Sequence, residues 1–449
     1  MWMRSALRPK RAASAVFRGA LCAIALGAAP AAAAVGDSGT GAGDALLGAA
    51  RLERGALIAA VLERNPTLRA ARFAFEAAAA REPQADAFGD PTLDVSATPA
   101  AFGSSEVDGG WRIGLEQPLA FLGRRGPRAR AARAGAEALA GDWNAARLEL
   151  AAQASRLFDA YYFAARSVAL SEQQIALLEE LQRTATARYA SGEGSQRDPL
   201  LAEMELARAL QRRVSLAARE RVVSAQLNAL LHRAAQPALP PPPAAFEPSA
   251  DVAGDAAALE AEALRARPDL RAQEARVGAA RAALELVQRD FLPDLALSGG
   301  YDRIWQERDL RGFVGVELQL PLQQRARRGA LAEAQALLAR ERSLLAAALD
   351  AARLELEIGR ERLAEADHHL ELFEARLWPA ARDRAAVARA GFEAGRVDFP
   401  ALLDALNGEL ETERELERAR VEQSQRRSEL QALLGRLPGA AGAAPGDPR

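Results

Sequence analysis

The chain is poor in cysteine, histidine, lysine and aromatic residues. Its 449 residues include one cysteine, Cys22, three histidines (His232, His368 and His369) and only 5% aromatics. Without thiols beyond Cys22, a disulfide framework, a cysteine nucleophile and Cys/His metal sites are excluded. His368 and His369 are adjacent, so on a helix they point to different sides and make a poor chelating pair. Neither sign of charge is in excess: 58 basic against 60 acidic residues give a net charge of -2, which implies no nucleic-acid partner. Every basic residue after Lys10 is arginine, which reads as GC-rich codon usage. GxSxG, HExxH and Walker-type stretches are absent, and the glycine pairs at 109–110 and 299–300 lack dinucleotide-loop spacing. Hence the sequence offers no catalytic apparatus, no cofactor site and no metal site, and the protein is not expected to be an enzyme. Past the N-terminus no run of 18 apolar residues exists, which excludes a membrane-spanning helix.

What the sequence does have begins with an export signal. Arg4, Arg8, Lys10, Arg11 and Arg18 precede a short apolar stretch, Ala20 to Ala28, and Pro30 to Ala34 offers small residues for cleavage. Residues 1–34 are therefore expected to be a signal peptide. Cys22 lies inside its apolar stretch, where a lipoprotein signal would want a small residue just before it, so lipidation is not expected.

The remainder repeats itself. Asn65-Pro66-Thr67-Leu68-Arg69 returns as Arg267-Pro268-Asp269-Leu270-Arg271, and Pro91 returns as Pro293, both at an offset of 202. Gln117-Pro118-Leu119 matches Leu320-Pro321-Leu322, Tyr189-x-x-Gly192 matches Phe392-x-x-Gly395, and LNALL at 227 matches LQALL at 430, all at 203. One residue of slippage over so long a unit indicates duplication of a whole topological unit. The expected organisation is a first repeat at 45–234, a proline-rich strap at 235–255, a second repeat at 256–436 and a disordered tail at 437–449. Within the repeats, strand pairs fall at about 91–119 and 293–321, and tight turns at about 190–199 and 393–401.

Helical and strand periods alternate inside each unit. Positions 345, 349, 352, 356, 359, 363, 366, 370, 373 and 377 carry a 4,3,4,3 apolar spacing, a coiled-coil seam. Leu157, Tyr161, Ala164, Val168, Ile175 and Leu178 form its counterpart in the first unit. One helix from 127 to 190 is about 96 Å long at 1.5 Å per residue. Pro379 should bend the second-unit helix locally. In the strand-like segments, Leu93, Val95, Trp111, Ile113, Leu115, Leu295, Leu297, Val314, Val316 and Leu318 alternate with Asp94, Arg112, Glu116, Asp294, Glu317 and Gln319. Such alternation suits a soluble hairpin on a core; it equally suits barrel strands with lipid on one side and a wet lumen on the other. Four strands cannot close a barrel, and unpaired edges are not tolerated in lipid, so spanning strands require oligomerisation.

These features together resemble the outer-membrane efflux family, the TolC-like channels of tripartite export systems. The residues that carry the resemblance are NPTLRAAR and RPDLRAQEAR opening the units, strand pairs ending in QPL and LPL, and Y-x-x-G and F-x-x-G before a helix start. Leu377-Trp378-Pro379 followed by Gly391-Phe392-Glu393-Ala394-Gly395, with no lipobox, look more like the CzcC-like heavy-metal branch than the lipoprotein drug-efflux branch. The resemblance implies a mainly α fold with a small β part. Long α-helical coiled-coil hairpins form an α-barrel, and four transmembrane strands per chain are completed to a 12-stranded β-barrel in a homotrimer. It implies outer-membrane lipid around the strands, a long periplasmic extension, a periplasmic adaptor (membrane fusion) protein and an inner-membrane RND-type pump. The implied role is a passive conduit for metal cations or drugs. Residues carried over are Asp404 and Asp198 as acidic aperture positions, Tyr189, Gly192, Gly194, Phe392 and Gly395 as adaptor-contacting tip turns, and Asp94, Arg112, Glu116, Asp294, Glu317 and Gln319 as lumen-facing. Ala401 stands where the family has a second acidic aperture residue. Asp198 before Pro199 also fits a helix N-cap, and Asp404 a solvated helix face. Arginines 124, 125, 128, 325, 327 and 328 follow the descending strands and fit either anion pairing or a lumen lining. The competing class is a periplasmic coiled-coil structural or adaptor protein that never enters a membrane.

Overall fold

A computed structural model of the protein describes residues 49–98, 110–119, 123–235, 237–303 and 311–438. The expected signal peptide with Cys22, and the tail beyond 438, lie outside the described residues.

Two X-Pro steps set the first boundaries of each half. A residue before proline is pushed out of the helical region, while proline itself suits the first helical position. Asn65 (ψ 120°) thus separates α1 (Arg54–Arg64) from α2 (Pro66–Ala79), and Arg267 (ψ 121°) separates α6 (Ala256–Ala266) from α7 (Pro268–Arg289). Asn65 caps α2 by accepting from the N–H groups of Thr67 (2.9 Å) and Leu68 (3.3 Å). Arg267 cannot accept, and its guanidinium instead reaches Asp269 at 2.7 Å and Glu355 at 2.8 Å.

The first half continues through the short α3 (Arg81–Asp86), β1 (Thr92–Thr98), β2 (Gly110–Leu119), α4 (Arg125–Ala190) and α5 (Arg197–Leu230). The second half continues through β3 (Asp294–Asp302), β4 (Gly312–Gln319), α8 (Gln324–Leu372), α9 (Trp378–Glu393) and α10 (Phe399–Leu433). At its 66 residues, α4 is about 99 Å long at 1.5 Å per residue. Its counterpart is split by a π turn, Phe373–Leu377, immediately before Pro379. Proline has no N–H and its ring collides with the carbonyl four residues back, so a widened turn there removes the clash. The local effect of Pro379 is therefore a π turn within one continuous helical run.

Three apolar clusters hold the helices together. One joins Leu57 and Val61 of α1, Ala154 and Phe158 of α4, Leu227 and Leu230 of α5, and Leu239 of the proline-rich segment. Another, built from Leu259, Ala263, Leu356, Leu363, Leu430 and Leu434, uses several positions 202 or 203 residues later. The third is shared by both halves: Leu178, Leu181, Ala185, Ala202 and Ala209 pack with Ala385, Ala388, Phe399, Leu402 and Leu406. Of the expected second-unit seam, Ala352, Leu356, Leu363 and Ala366 are buried, Leu345, Leu349, Gly359, Leu370 and Phe373 are half-buried, and Leu377, in the π turn, is exposed. On α4 the expected stripe is only part of the buried surface. Phe158, Tyr162, Ser167, Leu170 and Ser171 are buried too, because this helix packs on α10 as well as on α5. A single 4,3 stripe describes a helix with one partner; α4 has several.

The segment after α5 lies along these helices. Leu52 donates its N–H to the Pro241 carbonyl at 2.9 Å, and Asn228 on α5 donates to the carbonyls of Ala235 and Pro237. At the repeat-equivalent position, Gln431 on α10 donates to Ala250 O at 2.6 Å.

Candidate functional site: the sheet and the paired turns

The strands form one antiparallel sheet in the order β1-β2-β3-β4, so the described edges are β1 and β4. Register puts Leu93 opposite Leu115, Val95 opposite Ile113, Ile113 opposite Tyr301, Leu297 opposite Val316 and Leu295 opposite Leu318. Because directly paired residues share a face, the apolar positions collect on one side. That side is bare: Leu93, Val95, Trp111, Ile113, Leu115, Leu297, Tyr301, Val316 and Leu318 are exposed, and Val314 reaches 83%. Trp111 and Tyr301 sit together at one end with ring centroids 5.5 Å apart. The opposite side carries Asp94, Arg112, Glu116, Asp294, Glu317 and Gln319. Two of these side chains are committed within the chain. The Arg112 guanidinium lies 4.6 Å above the Phe313 ring, and Asp294 accepts both carboxylate bonds from Arg124 at 2.5 and 2.6 Å.

The arginines below the sheet separate into two groups. Arg124 also reaches Asp290 (3.4 Å) and the carbonyls of Arg289 and Leu292; Arg125 pairs with Asp86 at 2.9 Å; Arg327 donates to the Asp290 carbonyl at 2.7 Å. Arg128, Arg325 and Arg328 are exposed and have no hydrogen bond or ion pair among the described residues.

At the far end of the long helices the two turns have the same hydrogen-bond pattern. Gly192 (φ +80°) donates to Tyr189 O at 3.0 Å, and Glu193 to Arg188 O at 2.8 Å; Gly395 (φ +71°) donates to Phe392 O at 3.0 Å, and Arg396 to Gly391 O at 2.8 Å. These are paired Schellman closures with glycine at the left-handed position. Gly194 does not share the left-handed conformation of Gly192. Its φ is not positive, and a Cβ there would meet Arg188 Cβ at 3.2 Å. The second turn reverses the sizes: Gly391 stands where the first has Arg188, and Val397 where the first has Gly194, with a Cβ on Gly391 coming 2.5 Å from Val397 Cγ2. The turns touch across the halves, since the Arg188 guanidinium lies 4.6 Å over the Phe392 ring, which meets Phe399 edge-on. Tyr189 is exposed.

Asp198 is not the N-cap of α5. Gln196 occupies that position, the Ser195 hydroxyl accepts from Arg197 N at 3.2 Å, and Asp198 lies half-buried in the first turn, near the positive end of the helix dipole. The cap of α10 is Asp398, accepting from Ala401 N at 3.1 Å. Asp404 is exposed and ion-paired with Arg384 on α9, beside a polar cleft of about 350 Å³ lined by Ser167, Ser171, Gln174, Asn407 and Arg414.

The sequence pattern gave no sign of one buried charge pair. Arg54 on α1 contacts Asp159 on α4 at 2.7 Å, with the Asp159 side chain wholly buried. The same guanidinium donates to Ser155 Oγ (2.8 Å) and Glu247 O (2.6 Å), and stacks 4.8 Å over Phe158. Ser155 bonds Ser428 at 2.8 Å, and Ser424 accepts from Ser249 N at 2.9 Å, so the network ties α1, α4, α10 and the linking segment. Burial raises the Asp159 pKa from its ordinary 3.8, and Arg54 opposes that rise.

No curated protein matches the chain in sequence. Among solved structures, a membrane protein from Pseudomonas aeruginosa is similar at 22% identity and a TM-score of 0.72, covering 85% of this chain and 89% of that one. The open state of the Neisseria gonorrhoeae MtrE outer membrane channel has 19% identity and a TM-score of 0.71, with 85% and 89% covered. The outer membrane protein VceC from Vibrio cholerae has 19% identity and a TM-score of 0.70, with 85% and 96% covered. The fold is thus TolC-like, mainly helical with a four-stranded antiparallel sheet. The outer membrane efflux protein family matches twice, at residues 57–232 and again at 259–436, and with most of its length so accounted for, the chain belongs to that family.

Proposed function

We propose that the protein is the outer-membrane conduit of a tripartite efflux system. Three copies join their four-stranded sheets into a 12-stranded barrel, and the long helices continue the passage into the periplasm. The observation that carries this reading is the sheet itself: one face is apolar but for Gln117 and largely exposed, the other is mainly polar, and both edges lack a partner among the described residues. In water such a sheet is an aggregation site; in a bilayer it requires closure by sister strands. Trp111 and Tyr301 at one end fit an interfacial aromatic girdle. Asp94, Arg112, Glu116, Glu317 and Gln319 then face the lumen, with Asp294 serving as an anchor for Arg124 at its lower rim.

In this reading the paired turns are the periplasmic tips. Tyr189, Gly192, Gly194, Phe392 and Gly395 form the surface offered to an adaptor, and Asp404, held by Arg384, together with Asp198 lies at the aperture. No chemical step is required of the chain; an inner-membrane transporter supplies the energy. The cargo, metal cation or drug, follows from that transporter. Fractionation is the test: the protein should resist a salt wash, require detergent, and run as a heat-modifiable oligomer. A water-soluble monomer would leave the periplasmic coiled-coil reading in its place. Deleting the gene with its neighbouring pump and comparing resistance to metals, dyes and antibiotics identifies the cargo class.

A further inference from the structure

The arginines under the sheet follow a rule that the chain breaks at one place. After each descending strand, one arginine reaches back to the segment before the preceding strand: Arg125, after β2, pairs with Asp86 before β1, and Arg327, after β4, binds the Asp290 carbonyl before β3. After β2 a second arginine reaches forward. Arg124 holds Asp290 and Asp294, which lead into β3, and so locks the β2–β3 seam where two repeat units meet. After β4 no further strand follows among the described residues. Two more arginines stand there, Arg325 and Arg328, exposed, three residues apart on one helix face, and without a partner among the described residues. The first turn of α8 contains no acidic residue, so these cations sit at the positive end of a helix dipole with nothing to offset them.

The missing forward partner has a counterpart at the other edge. Asp90, two residues before β1, is exposed and has no hydrogen bond or ion pair among the described residues. All four strands share one lower end, since Thr92 is opposite Glu116, Leu119 opposite Leu295, and Asp294 opposite Gln319. Laying β1 of a second copy beside β4, as β3 lies beside β2, brings the acid to the level of the free arginines. We propose that Arg325 and Arg328 of one protomer clamp Asp90 of the partner subunit, closing the β4–β1 seam between copies as Arg124 closes the β2–β3 seam within one. The inference rests on the trimeric barrel reading and names the charged groups that select the neighbour's edge. Because β4 is the basic edge and β1 the acidic one, like edges repel. Head-to-tail closure is thereby favoured over random edge pairing.

Charge reversal tests it in the full-length protein purified in detergent. Arg325→Glu/Arg328→Glu and, separately, Asp90→Arg should each weaken the oligomer, read as the temperature at which the unboiled band dissociates in dodecyl sulfate and as the oligomer fraction by native mass. Each exposed seam is expected to weaken roughly 2- to 5-fold, compounding over three seams to roughly ten- to a hundredfold. The triple variant Arg325→Glu/Arg328→Glu/Asp90→Arg should recover most of that loss, and high salt should erase the differences. Reversals that leave the oligomer unchanged, or a triple variant no better than its parents, overturn the proposal while the barrel stands. Wild-type protein that is monomeric and soluble removes the barrel reading and the seam with it. Circular dichroism of each variant separates misfolding from loss of assembly, and rescue by the triple variant excludes it.

Discussion

At the residue scale, two positions carry measurable cost. His232 closes the end of α5 with φ +54°, the only non-glycine with a left-handed backbone among the described residues, while the repeat-equivalent Gly435 does the same after α10 with φ +77°. A side chain in that region costs about 1–2 kcal/mol, so His232→Gly should raise stability by about 0.5–1 kcal/mol, seen as a higher midpoint in denaturant. Asp159 is the second. Removing it by Asp159→Ala leaves the Arg54 guanidinium buried without a counter-charge, and breaking such a pair costs about 3–5 kcal/mol. Its pH dependence has a defined sign. The folded carboxyl pKa is raised, chiefly by desolvation, so the folded state holds the proton more tightly than the unfolded chain. The resulting stability is complete below the ordinary value of 3.8 and is lost as pH rises through the folded pKa. Asp159→Asn should flatten that part of the stability curve, as measured by melting across mildly acidic pH. Neither residue was legible beforehand: His232 is unremarkable in sequence, and Arg54 and Asp159 are 105 positions apart, a pairing only the fold creates.

At the element scale, the repeated turns show what a duplicated sequence does and does not disclose. Tyr189-x-x-Gly192 and Phe392-x-x-Gly395 mark the left-handed closures directly, since glycine there is a backbone requirement. The reciprocal sizes at 188/194 and 391/397 are not visible in either stretch alone, because each is one half of a contact across six residues. Gly391→Ala would place a Cβ 2.5 Å from Val397 Cγ2, and should cost about 1–3 kcal/mol by overpacking. Adding Val397→Gly recreates the first turn's arrangement and should recover most of the loss, a coupling that a double-mutant cycle reads from melting data. The π turn at Phe373–Leu377 teaches the converse. Proline inside a seam announces a perturbation, but whether a helix kinks or widens depends on its neighbours, here α10.

At the scale of the molecule, the fold was largely legible: the strand alternation, the 4,3 spacing of α8 and the duplication all express periods that a single sequence prints. What remained hidden was multiplicity of partners. Tyr162 and Leu170 on α4 are buried, and Tyr162 meets Glu417 of α10, 255 positions later in the chain, which no local period encodes. The same limit applies to the sheet, whose alternation states that one face is apolar without stating what covers it. Substitution on each face distinguishes the answers. If lipid covers the apolar face, Val316→Arg, in the middle of β4, places a charge in hydrocarbon, costing about 2–4 kcal/mol at the midplane. It should reduce assembled protein in the membrane fraction several-fold. Glu317→Arg, one residue on and on the opposite face, carries no such cost; it should assemble normally and change only the ion selectivity of the reconstituted channel. A soluble protein with a covered apolar face would instead lose fold stability with Val316→Arg in the absence of any membrane, and its neighbour would have no conductance to alter. Because the two substitutions differ by a single step along the strand, their difference depends only on which side of the sheet meets hydrocarbon.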